Sequence, residues 1–170
     1  MPQDTNLHKA AHKGDLASVE DLLAQGEDVN SRGAQNRTPL HRAVGKGHNA
    51  VVQQLLRQGA DLTLLDQGGL TPLHWAALFG LKETAEILVE AKADVNVQTK
   101  NGETPLHMAA EKGKVDMVRF LLSQGAKTDI RDKGPNGGAT AYDTAKKAQQ
   151  KEVMLVLKPE GEGGGCCVVQ

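Results

Sequence analysis

The apolar residues of this chain recur in a pattern with a period of 33 positions. Within one period, a short apolar stretch ends at a glycine, and a second stretch with helical spacing of its apolar residues follows. In the third period this pattern predicts helices over about residues 71–79 and 82–90, separated by Gly80. Each unit therefore consists of two antiparallel helices. Their apolar face is too large to be buried within one unit, so neighbouring units must stack.

The first helix of each unit begins with a repeated string. The four copies are TNLHKAA at Thr5, TPLHRAV at Thr38, TPLHWAA at Thr71 and TPLHMAA at Thr104. Thr is a good helix N-cap, and Pro suits the first helical position because its missing N–H would have no partner there. Four copies in register at this spacing are typical of a solenoid built from helical repeats.

These strings, the glycine that follows each, the Leu-Leu-x-x-Gly-Ala-Asp stretch and the 33-residue period resemble the ankyrin repeat. The resemblance covers about residues 5–157. It implies an all-α fold, an α-solenoid with β-hairpin fingertips along one edge and a concave groove lined by the first helices and the tips. We assign full repeats to about 4–33, 34–66, 67–99 and 100–132, a degenerate capping repeat to 133–158 and a flexible tail to 159–170.

Two departures from the repeat pattern affect the interpretation. Asn6 replaces Pro in the first unit, which suits an N-terminal cap. In the third unit Lys92 stands where the other full repeats have a glycine after the second helix. A residue other than glycine in the left-handed conformation costs about 1 kcal/mol. We therefore expect the third repeat to be the one that frays or is adapted for function.

Composition and charge exclude several classes of protein. The net charge is −1, so the chain lacks the basic field that drives binding to nucleic acids. No run approaches the roughly 20 apolar residues that span a bilayer, and the N-terminus lacks the apolar core of a signal peptide. Both cysteines, Cys166 and Cys167, lie in the last five residues, so no disulfide holds the repeats. We expect a cytoplasmic monomer.

Four histidines recur with a period of 33 residues, which raises the question of whether they bind a metal ion. They are His8, His41, His74 and His107. Successive repeats stack about 10 Å apart, well beyond a shared coordination shell at roughly 2 Å. We therefore expect each histidine to bond to the backbone of a neighbouring repeat. With no nucleophile and base to pair, the sequence indicates a protein without enzymatic activity, cofactor or metal.

The candidate binding surface follows from the resemblance. In ankyrin repeats the residue after the repeated His and the two residues before the helix-ending Gly face the groove. An exposed cluster of large apolar residues there indicates a protein-binding site, and the alternative is that these side chains fold back onto the adjacent repeat. The apolar candidates are Leu65, Leu70, Trp75, Leu78, Phe79 and Met108, bordered by the basic residues Arg32, Arg37, Arg42 and Lys46.

The resemblance also implies two modification sites. Ankyrin repeats are substrates of an asparaginyl hydroxylase that reads an Asn after Asp-Val with a Leu eight residues earlier. Asn30 with Leu22, and Asn96 with Leu88, match this pattern.

The last residues predict attachment of lipid. Cys167-Val-Val-Gln has the C-a-a-X form of a prenylation site, and Cys166 is a candidate for palmitoylation. One lipid gives only marginal membrane binding, so both would be needed for stable attachment. We therefore expect an adaptor at the cytoplasmic face of a membrane that binds another protein. The alternative is a soluble cytoplasmic or nuclear ankyrin-type inhibitor of an enzyme such as a kinase.

Overall fold

The structure, a computed structural model, describes residues 3–158. These residues form ten α-helices, together with two 3-10 segments at Ala34–Asn36 and Pro135–Gly137. The helices are α1 (Asn6–Lys13), α2 (Leu16–Ala24), α3 (Pro39–Val44), α4 (Asn49–Arg57), α5 (Pro72–Phe79), α6 (Lys82–Glu90), α7 (Pro105–Glu111), α8 (Val115–Ser123), α9 (Ala141–Lys147) and α10 (Lys151–Leu157). None of them has both the length and the apolar composition that crossing a bilayer requires.

The first helices begin at the repeated threonines for the reason that the sequence suggests. In α5 the Thr71 hydroxyl caps the backbone N–H of His74, and the Thr71 N–H donates to His74 Nδ1 at 3.2 Å. Pro72 occupies the first turn, and α5 ends at Gly80 in the left-handed conformation, with φ of 72°. α5 is therefore bounded by its own sequence at both ends.

The helices form two layers around one continuous core. The first helices α1, α3, α5, α7 and α9 contact one another in that order, and the second helices α2, α4, α6, α8 and α10 do the same. Leu40, Leu73 and Leu106 occupy the same position in successive repeats, and all three are buried. The all-α solenoid predicted from the sequence is confirmed.

The periodic histidines tie consecutive repeats together. Because Nδ1 of His74 accepts from the Thr71 N–H, its Nε2–H is free to donate, and it bonds to the Glu103 carbonyl of the next repeat at 3.1 Å. The same bond joins His8 to Arg37, His41 to Leu70 and His107 to Ala139. Burial lowers the pKa of both His41 and His74 to about 4, although the carbonyl bonds oppose this shift.

The fingertips are tight turns, so the expectation of β-hairpins is wrong within residues 3–158, where no strand is formed. In the second tip the Asp66 N–H donates to the Leu70 carbonyl at 3.0 Å. A β-ladder would require the return bond from the Leu70 N–H to the Asp66 carbonyl, but that N–H donates to the Asp66 carboxylate instead, also at 3.0 Å. The side chain thus competes with the ladder and replaces it.

Neighbouring tips are joined through their backbones. The Gln67 N–H donates to the Gln35 carbonyl at 2.8 Å, and the Lys133 N–H donates to the Asn101 carbonyl at 2.7 Å. The groove edge formed by the tips is therefore continuous from one repeat to the next in these two places.

Candidate binding site

A cavity of about 250 Å³ lies between α3 and α5 in the layer of first helices. It is lined by His12, Arg37, His41, Arg42, Gly45, Lys46, Trp75 and Phe79. Five of the ten predicted partner-binding residues therefore meet at one place.

The Trp75 ring is fixed by contacts on several sides. Its indole N–H donates to Asp66 Oδ2 at 3.0 Å, and the Arg37 guanidinium lies over the ring, 4.3 Å from its centroid. The Phe79 ring is tilted against it, with 5.6 Å between the centroids. Trp75 thus presents a preorganised aromatic surface, because its orientation is set before any partner arrives.

Gly45 provides the space that the indole needs. Its backbone is right-handed, with φ of −61°, so the position does not require glycine for conformational reasons. A Cβ there would lie 2.9 Å from Cε3 of Trp75, closer than real contacts allow. Glycine at this position therefore lets the Trp75 ring lie against α3.

Phe79 completes the apolar part of the cavity. Phe79 is 46% exposed. Among residues 3–158, Phe79 and Leu155 are the large hydrophobic residues that are strongly exposed. Phe79 is the last residue of α5, directly before Gly80. Two aromatic residues one helical turn apart therefore form one partly open face.

The arginines of the cavity are anchored by carboxylates. Arg42 forms an ion pair with Asp4 at 2.7 Å, and Arg37 faces Asp66 with 3.8 Å between Nε and Oδ2. Burial alone would raise the pKa of Asp4, but hydrogen bonds from Arg42 and from the Ala34 N–H lower it below its usual value. Asp4 thus links the N-terminal segment to the second repeat.

The other predicted residues lie outside the cavity lining. Arg32 donates to the carbonyls of Asn36 and Leu65, so it joins two tips. Leu70 and Leu78 are half-buried and pack against the core. Met108 is only 8% exposed, so the expectation that it belongs to the exposed cluster is wrong. Its side chain is packed within the stack instead.

Three residues of the site carry roles that the sequence interpretation missed, namely Asp4, Gly45 and Asp66. A signal existed for Asp66: Thr99 and Asp132 stand at the same position of the next two tips, and their side-chain oxygens also accept backbone N–H groups. In these three tips the position carries a short side chain with a hydrogen-bond acceptor, whereas the first tip has Gly33 there.

The two candidate hydroxylation sites are structural in the unmodified protein. Asn30 accepts from the Asp61 N–H at 2.8 Å and donates to the Gly59 carbonyl at 3.2 Å. Asn96 bonds in the same way to Lys127 and Gly125. Hydroxylation of either residue stays a prediction. Cys166 and Cys167 lie outside the described residues.

A larger cavity, of about 550 Å³, lies on the opposite face between α6 and α8. It is lined by charges of both signs, including Lys82, Glu86, Asp116 and Arg119. Size alone does not identify a binding site, and this cavity lacks the exposed aromatic pair. Among residues 3–158, no cluster of three or more His, Cys, Asp or Glu side chains is arranged to hold a metal ion.

The sequence was compared with known protein families and with curated proteins. A sequence model described as ankyrin repeats in three copies matches residues 7–99 and 91–164. The comparison with curated proteins gives no significant match.

Proposed function

The chain belongs to the ankyrin-repeat family, and from this premise we propose that it binds a partner protein in its groove through the cavity around Trp75 and Phe79. Ankyrin repeats are protein–protein interaction modules, and the extended concave surface of a solenoid suits that role. The proposed role is non-catalytic and needs no cofactor.

The observation that carries this proposal is the fixed aromatic pair. Trp75 is held by Asp66 and Arg37, while Phe79 beside it is nearly half exposed. Binding to a surface whose side chains are already ordered costs less conformational entropy, and tryptophan is the residue most enriched at binding hot spots. A solvent-facing aromatic pair at a cavity is better explained by binding than by packing.

The test compares partner capture by variants of the full chain. Proteins captured from cells by the wild type should be lost with Trp75→Ala and with Phe79→Ala, and retained with Arg119→Ala on the opposite face. With a purified partner, each groove variant should weaken binding by about 2 kcal/mol or more. Circular dichroism checks that the variants fold. If folded groove variants capture the same proteins as the wild type, the groove assignment is wrong.

We also propose that lipid at Cys167, supported by Cys166, holds the protein at the cytoplasmic face of a membrane. The support is the sequence Cys-Cys-Val-Val-Gln, and it applies where Gln170 is the last residue in the cell. No basic cluster adjoins these cysteines, because Glu160 and Glu162 outnumber Lys158. Two lipids would have to supply the affinity that charge does not.

Fractionation of eukaryotic cells separates this proposal from the soluble alternative. Cys167→Ser should move the protein from membranes to the cytosol, and Cys166→Ser should leave a weaker, reversible association. Intact-mass spectrometry should find a prenyl group on the wild type. An unmodified wild type that is as soluble as Cys167→Ser would favour the soluble inhibitor, with the same groove as its binding surface.

A further inference from the structure

We infer that the cavity selects a partner segment in which an acidic side chain stands two or three residues from an apolar one. This inference rests on the proposed function and adds the chemistry of the partner. It follows from the charges of the cavity, from the position of Lys46 and from the distance between Lys46 and Phe79 along the stack.

The charged and titratable side chains that line the cavity are all basic. They are Arg37, Arg42, Lys46, His12 and His41. Asp4 and Asp66 pair with the two arginines without lining the cavity, and Asp66 is buried, so both carboxylates act as counter-ions within the fold. The side chains that a ligand would meet thus present positive charge beside two aromatic rings.

Of the lysine and arginine side chains that line the cavity, Lys46 lacks a counter-ion, whereas Arg37 and Arg42 each face a carboxylate. Lys46 is exposed, and no carboxylate among residues 3–158 lies within ion-pair distance of its ammonium group. Lys112, the matching residue two repeats later, is paired with Glu111 at 3.2 Å. The positive field near Lys46 is also felt by His12, whose pKa is lowered first by burial and then by the charges of Lys46 and Arg42. A carboxylate entering here would gain attraction that the fold itself leaves unused.

Two further polar atoms at the site lack an acceptor. The Nε atoms of Arg37 and Arg42 are buried and have no hydrogen-bond partner among the described residues. Both arginines line the cavity. These Nε atoms lie below the accessible surface, so the arginines would act on an incoming acidic group through their positive charge, which has the same sign as that of Lys46.

The spacing of the two chemical groups comes from the stack. Lys46 and Phe79 occupy the same position in consecutive repeats, which are separated by about 10 Å. An extended peptide advances about 3.3 Å per residue. A peptide whose apolar side chain packs on Phe79 and Trp75 would therefore reach Lys46 with a residue two or three positions away.

The experiment uses random peptides displayed on phage and selected on the full chain. Selected peptides should contain Asp or Glu two or three residues from an aliphatic or aromatic residue. Their affinities are then measured by fluorescence anisotropy against Trp75→Ala, Lys46→Glu and Lys112→Glu. The two lysine variants change the net charge equally and occupy equivalent positions in different repeats, so Lys112→Glu is the matched control.

We expect Lys46→Glu to weaken binding about tenfold or more, Lys112→Glu to change it less than about twofold, and added salt to weaken binding of the wild type. No selected peptides, selected peptides without acidic residues, or equal effects of the two lysine variants would overturn the inference. Peptides that lose affinity with Trp75→Ala but not with Lys46→Glu would leave the proposed function standing. Peptides unaffected by Trp75→Ala would count against the site itself.

Discussion

The third and fourth repeats share one scaffold but present side chains of different character to the groove. The first helix of each opens with Thr-Pro-Leu-His, and both repeats use that histidine to bond to the next repeat. In the third repeat Trp75 is partly exposed and Phe79 is open to solvent, whereas in the fourth Met108 is buried and Lys112 pairs with Glu111. A few side chains at equivalent positions thus separate the proposed binding surface from a solvated one.

The residue that stands in the preceding repeat also differs between the two. The position before Trp75 in the stack is Gly45, and the equivalent position before Met108 is Leu78. A Cβ on Gly45 would collide with the Trp75 ring, whereas Leu78 carries a full side chain that packs on the core. Repeat proteins can therefore change a binding surface without changing the fold, because each groove position depends on only one or two neighbours.

Acidification should weaken the scaffold on which the two repeats rest, and this is the largest effect that we expect. Histidine has an unperturbed pKa of about 6.5, while His41 and His74 in the fold have pKa values of about 4. The unfolded chain therefore binds protons first, so their stabilisation is complete above about pH 6.5 and is lost as the pH falls towards 4. The full loss is about 3 kcal/mol for each histidine.

Urea unfolding at about pH 7.5 and about pH 5 measures this dependence. Lys46→Ala, which changes only the exposed cavity rim, should show the same loss as the wild type. A free energy of unfolding that stays level between the two pH values would contradict the expectation.

Substitutions at the groove should separate packing from binding. Met108→Ala is expected to lower the free energy of unfolding by about 2 kcal/mol or more, because it leaves a cavity in the stack. Phe79→Ala should lower it by less than about 1 kcal/mol, because nearly half of that side chain is already in water. The partner should be lost with Phe79→Ala only. Denaturant unfolding of both variants measures the two losses of stability. A larger loss for Phe79→Ala than for Met108→Ala would remove the distinction between the two repeats.

The scaffold was predictable from the sequence because it is periodic. Thr71, His74 and Gly80 each recur at the same offset, and each has a local reason for its place. The left-handed conformation at Lys92 was also predictable, since Gly26, Gly59 and Gly125 stand at its equivalents. These features depend on contacts within one repeat or with an identical neighbour, so one sequence carries enough information to specify them.

The site was only partly predictable because it depends on side chains that differ between repeats. Offsets placed Trp75 and Phe79 in the groove, but exposure of Met108 was wrongly inferred from the same offset. The support of Trp75 by Asp66, and the space provided by Gly45, arise between two repeats and follow no period. The tips were expected to be β-hairpins from the family resemblance, and the acceptor side chains that recur at Asp66, Thr99 and Asp132 were the signal that was missed.

Asp66→Ala should distinguish the second tip, which leads into the third repeat, from the third tip, which leads into the fourth. It leaves the Leu70 N–H and the Trp75 indole N–H without an acceptor, which costs about 1–2 kcal/mol. Trp75 is the sole tryptophan, so its fluorescence reports on this site directly. We expect emission shifted to the red and more readily quenched. Thr99→Ala is the matched control. It should cost similar stability and leave the emission unchanged. If both variants shift the emission equally, Asp66 does not orient Trp75.

Lys92→Gly should change the free energy of unfolding the least, and it should raise the stability where the other substitutions lower it. Lys92 has φ of 73° after α6, where Gly59 and Gly125 have φ of 82° and 84° in their repeats. Relief of the left-handed strain is worth about 1 kcal/mol, and the greater freedom of glycine in the unfolded chain offsets part of it, so we expect a gain of about 0.5 kcal/mol. Gly125→Lys is the reverse control, because a Cβ at Gly125 would meet no atom within 4 Å and the substitution introduces strain alone. Thermal and urea unfolding should rank Lys92→Gly above the wild type and Gly125→Lys below it. If Lys92→Gly is instead less stable, the Lys92 side chain stabilises the third repeat by more than its backbone conformation costs.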